Sequence, residues 1–140
     1  MAKAQLVEIR RKEAESEKIT INLGYVDLGQ IDLLVQEGFY SNRTDFIRTA
    51  IRNQLSSHGD VLKQTVARRS MVLGLQRYTR EDLERVRKAG EQLHIQVLGL
   101  ALIDDDVPAK LAAQTIASIS VLGALRASSA VRAALSDRIR

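Results

Sequence analysis

The stretch EKITINLGYVDLGQIDLLVQEGFYSNRTDFIRTAIRNQL, Glu17 to Leu55, changes its hydrophobic period partway through, and that change sets the architecture. From Lys18 to Leu23 a period of two puts Ile19, Ile21 and Leu23 on one face and Lys18, Thr20 and Asn22 on the other, which predicts a strand. From Val26 to Gln36 the apolar residues Leu28, Ile31, Leu34 and Val35 fall on one face of a helix, and Gly38 ends it by supplying a left-handed conformation. Ser41 to Asp45 opens a second helix. Asn42 is placed to accept first-turn amides and Asp45 to reach back, as in a capping box. Phe46, Ile47, Ala50, Ile51 and Leu55 then form an apolar stripe, with Arg43, Arg48 and Arg52 outside it and Gly59 closing the element. One strand and two helices, in about 40 residues, bury too little surface to be stable alone, so the segment requires a partner chain.

Outward from this stretch, residues 1–16 form an arm in which Arg10, Arg11 and Lys12 alternate with Glu8, Glu13 and Glu15, the pattern of a solvated helical or frayed segment. Residues 59–70 read as a connector, helical through Gln64 and extended from Val66. In residues 71–140 a short motif recurs as Val72-Leu73-Gly74-Leu75, Val97-Leu98-Gly99-Leu100 and Val121-Leu122-Gly123-Ala124. Each copy precedes a helix signal: the Thr79 to Asp82 capping box, Asp104 to Asp106 with Pro108 in a first turn, and Ser128-Ser129. The expected order is βαβαβα. Both faces of the strand Ile95 to Ile103 are apolar, which predicts parallel strands buried on two sides, and the recurrent Gly predicts close approach of another backbone or helix. Such a stack has open edges, so this region is expected to mediate assembly.

Composition narrows the chemistry. The chain has 140 residues, a formal net charge of +4 and no cysteine, which excludes disulfides, thiolate metal sites and cysteine nucleophiles. The basic excess permits nucleic-acid binding without requiring it. The N-terminus has no apolar run long enough for a signal peptide or membrane span, so the expectation is a cytoplasmic protein without membrane contact, nucleoid-associated only if it binds DNA. The two histidines, His58 and His94, belong to no catalytic motif, and Asp104-Asp105-Asp106 lacks the alternating oxygen ligands of a calcium loop. No enzyme, metal site or cofactor is expected.

KITINL, the helix with IDLLVQEG, and FYSNRTDFIRTAIRNQL together resemble the ribbon-helix-helix DNA-binding proteins, the group of Arc-, MetJ- and CopG-type repressors, over residues 17–58. The resemblance implies an intertwined homodimer whose paired strands enter the major groove of double-stranded DNA. Lys18, Thr20 and Asn22 match the base-facing positions; Ser41, Asn42 and Arg43 match the backbone-contacting helix start. Nickel-responsive relatives carry a His-rich, Cys-containing domain, and with no Cys and only His94 in the tail, metal sensing is not carried over. The resulting expectation is an α+β chain: arm 1–16, ribbon-helix-helix domain 17–58, connector 59–70 and oligomerisation domain 71–140. Its expected role is sequence-specific transcriptional regulation, most simply repression, with higher-order assembly through the tail. The rival is a self-assembling scaffold in which the DNA-binding module is an anchor or has lost DNA binding. An antitoxin ranks last because its tail would be polar.

Overall fold

Extended backbone at Gly24 (φ −64°, ψ 152°) leads into α1 (Tyr25–Gln36), and Gly38 (φ +84°) follows its end in the left-handed region. The structure, a computed structural model, describes residues 16–140, so the expected N-terminal arm lies outside the described residues except for Ser16. Two compact units result, the first ending at Val61 and the second running from Leu62 to Arg140. In the first, α1 is followed by α2 (Arg43–Ser57). Residues 16–24 form no ladder: among the described residues of one chain, nothing pairs with the strand expected over Lys18–Leu23.

The extended backbone expected from Val66 needs correction. Residues Gly59–Arg68 form a helix, α3, that continues past Gln64 and Val66. Leu62, Thr65 and Val66 lie at helical spacing, and the helix propensity lost at a β-branched residue is only a few tenths of a kcal/mol. The helix stops at Ser70, whose φ of 51° puts it in the left-handed region, and the Met71 amide returns to the Val66 carbonyl at 3.0 Å.

The second unit is a three-stranded parallel sheet in the order β1 (Val72–Tyr78), β2 (Leu93–Ile103), β3 (Ile116–Arg126). Its helices are α4 (Arg80–Lys88), α5 (Ala109–Thr115) and α6 (Ser129–Ala134). Leu83, Leu111 and Val131 from these helices pack with Ile95, Val97, Ala101 and Ile103 of β2 to make the core. Capping follows the sequence at two helices. Thr79 and Asp82 complete a capping box on α4, and the Ser128 hydroxyl accepts from the Val131 amide at 3.2 Å on α6. Pro108 is the N-cap of α5, one position ahead of the first turn expected for it, and Asp104 instead accepts two bonds from Arg77, at 2.8 and 2.9 Å.

The three sequence repeats fall in register. Val72 aligns with Val97 and Val121, and Gly74 with Gly99 and Gly123. All three glycines have positive φ (121°, 140° and 119°). A Cβ on Gly99 would lie 2.2 Å from the Gly74 carbonyl oxygen, and one on Gly123 would lie 2.1 Å from that of Gly99. The close approach expected at these glycines is therefore by the neighbouring strand's backbone. The expectation of burial on both sheet faces holds for one. Helices cover the Val97 face, while Leu73, Leu75 and Leu122 on the other face are exposed. The outer edge of β3 is partly occupied, since Ile119 and Ile139 form a parallel bridge. Among the described residues no helix is long and apolar enough to cross a membrane.

Candidate nucleic-acid interface

The first unit carries two contrasting surfaces. Lys18, Thr20 and Asn22 are all exposed, and so are Ile19, Ile21 and Leu23 between them, at 73%, 56% and 37%. Exposed aliphatics at every second position cost hydration free energy that burial would recover, roughly 25 cal/mol per Å². Beside them Ile21, Leu23, Ile31, Leu34, Phe46 and Ile51 line an open apolar groove of about 550 Å³ between α1 and α2. Ile31, at 6% exposure, is the one buried residue described in this unit. Tyr40, between α1 and α2, and Phe46 on α2 set their rings edge to face at 5.0 Å.

The start of α2 is built from local chemistry. The Asn42 side chain accepts from the Asp45 amide at 2.8 Å. Asp45 accepts from the Ser41 amide at 3.0 Å, one residue earlier than the Asn42 amide that a capping box uses. By helix geometry the amides of Arg43 and Thr44 have no intrahelical acceptor, so this end presents free donors and the positive end of the helix dipole. Ser41, Asn42 and Arg43 therefore lie together and exposed.

Arg43 is not free of partners. Its Nε and Nη2 donate to the two carboxylate oxygens of Asp32 on α1, each at 2.8 Å. This pair holds the Asp32 carboxyl below its usual range and raises Arg43, in both cases chiefly through the side-chain hydrogen bond. Two of five guanidinium N–H groups are used, which leaves three for another acceptor. Asp32 is the residue that the sequence reading missed. Periodicity shows it only as a polar position on α1, and no local signal links it to a residue eleven positions on.

The remaining polar candidates have structural partners. His58 caps the end of α2, and His94 in β2 bonds Ser118 at 2.8 Å.

A family model described as the Ribbon-Helix-Helix transcriptional regulator family matches residues 14–132. No curated protein and no solved structure gives a significant match. The family match runs well beyond residues 17–58, which carry the sequence resemblance, and takes in all three strands of the second unit. The chain belongs to the ribbon-helix-helix family of DNA-binding, dimeric transcriptional regulators.

Proposed function

We propose that this family member is a sequence-specific repressor that reads DNA with a two-stranded ribbon. Two copies pair their Lys18–Leu23 segments antiparallel, and the apolar side of that ribbon closes the groove of Ile21, Leu23, Ile31 and Phe46 on each copy. The other side, Lys18, Thr20 and Asn22, enters the major groove, which admits a two-stranded ribbon and presents donors and acceptors that these side chains can meet. Ser41, Asn42 and Arg43 meet the phosphates flanking the ribbon, where free amides and a helix N-terminus favour negative charge. Asp32 positions the Arg43 fork while leaving donors over for a phosphate.

The observation that carries this reading is the exposed alternation at residues 18–23. A row of aliphatics and a row of hydrogen-bonding side chains share one unpaired segment, next to a groove that lacks its filling. Residues 71–140 join dimers, so that linked ribbons on adjacent half-sites gain effective concentration and specificity. Selecting binding sites from random DNA with the full chain tests the reading. A short, repeated half-site is expected; no enriched sequence overturns it in favour of a scaffold.

A further inference from the structure

The uncovered face of the sheet is apolar along most of its length, carrying Leu73, Leu75, Leu98, Leu100 and Leu122, and changes character toward the start of the strands. There Gln96 of β2 lies in register with Ser120 of β3, and Ser118 follows on the same face. These three floor an open cavity of about 470 Å³ with Leu122 as its apolar wall. Arg69, just ahead of β1, lines it on one side. Arg140 lines it on the other, held beside β3 by its amide, which donates to the Ile119 carbonyl at 2.9 Å. The cavity has the size of a small-molecule site.

The lining is basic and short of partners. Ser118 bonds a ring nitrogen of His94 at 2.8 Å. The ion pairs among the described residues, Asp32–Arg43, Arg77–Asp104, Arg80–Glu84 and Asp82–Arg85, leave Arg69 and Arg140 out, and no described Asp or Glu side chain lines the cavity. Even with an α-carboxylate on Arg140 counted, the lining is net positive. Each guanidinium presents five N–H donors in a planar fork that matches carboxylate and phosphate oxygens, and the hydroxyls and the amide of the floor can donate as well. Like charges facing one cavity repel, and an anion between them removes that cost.

We propose that this cavity binds a small dianion, its negative charge on carboxylate or phosphate groups. Arg69 and Arg140 meet it from opposite sides, and Ser118, Ser120 and Gln96 donate to it from the floor. Every lining residue belongs to the second unit, so the proposal stands apart from the DNA reading. The polar floor and single leucine select a hydrophilic molecule over an aromatic or long-chain acid, since an apolar body would cover the hydroxyls and the amide without pairing them.

Calorimetric titration of the full chain tests this with two probes, inorganic phosphate and succinate, each compared with acetate at matched ionic strength. Saturable binding of either dianion, tighter than that of acetate, is expected, and the stronger of the two tells which acid group the cavity prefers. Arg69→Gln and Arg140→Gln should each weaken it about tenfold or more, the scale of a lost hydrogen bond to a charged group. Arg87→Gln, on the exposed side of α4, should leave it unchanged. Ser120→Ala removes one floor donor while keeping the strand pairing, and should weaken binding severalfold even if an arginine variant folds poorly. No saturation with either dianion, or an equal loss in Arg87→Gln, overturns the proposal.

Discussion

The two units of the chain differ in how far each completes itself. In the second, Leu83, Ile95, Val97, Ile103, Ile116, Ile119, Val131 and Leu135 are all nearly or fully buried and form one cluster. In the first, Ile31 is the one buried residue described, and Ile19, Ile21 and Ile51 stand in solvent beside an open groove. The same hydrophobic bookkeeping therefore gives opposite results within one chain. The second unit finds partners within itself for one face of its sheet, and the first is patterned to find nearly all of them on another molecule. Its polar edge is thereby kept free of intramolecular pairing, which is what a reading edge needs.

The contrast can be broken most sharply inside the sheet. Gly99→Ala would drive a Cβ to 2.2 Å from the Gly74 oxygen at a φ of +140°, so a loss above about 3 kcal/mol is expected. Gly74→Ala meets nothing within 4 Å and should cost only the conformational strain, about 1–2 kcal/mol. Equal losses in thermal melts would contradict the stacked-glycine account. In the first unit Ile51→Asp should act on association instead. A carboxylate buried against a second copy weakens dimerisation by about 3–5 kcal/mol. Light scattering over a dilution series should then show single chains while the melting of the sheet domain is unchanged; an unaltered mass would place the dimer contact elsewhere.

Smaller effects sharpen the division within the first unit itself. Thr20→Ala and Asn22→Ala should each lose about 1–3 kcal/mol of discrimination between operator and altered sites, with folding preserved. Unchanged footprints would remove these residues from base reading. Arg43→Ala should weaken binding to all sequences alike and reduce the slope of log K against log salt by about one. The least effect concerns the Asp32–Arg43 pair. A carboxyl held below its unfolded value contributes stability above that value and loses it as pH falls through the lower folded one. Acid melts should therefore show wild type losing stability below about pH 4 more steeply than Asp32→Asn, and identical acid limbs would show that the pair contributes nothing.

Much of this was legible in the sequence where the cause is local. Asn42, Thr79 and Ser128 cap their helices because a short polar side chain three residues ahead of an amide suffices. The Val-Leu-Gly repeats marked three strands, and the close approach they predicted is found at Gly99 and Gly123, where the neighbouring strand's backbone excludes a Cβ. What escaped were tertiary effects. Leu62, Thr65 and Val66 carry a helix to Arg68 through a stretch expected to turn extended at Val66. The Asp32–Arg43 pair joins facing helices, and the uncovered Leu98 face has the same composition as a covered one. Composition tells which residues seek burial but not which molecule provides it.

That question is decided at Lys18–Leu23. Amide hydrogen exchange of the full chain, followed across a range of protein concentrations without DNA, tests it most directly. The account predicts protection that appears as dimers form and alternates along the segment, since only every second amide of an antiparallel two-stranded ribbon is paired. Rapid exchange of all six amides in a sample shown by light scattering to be dimeric would contradict it.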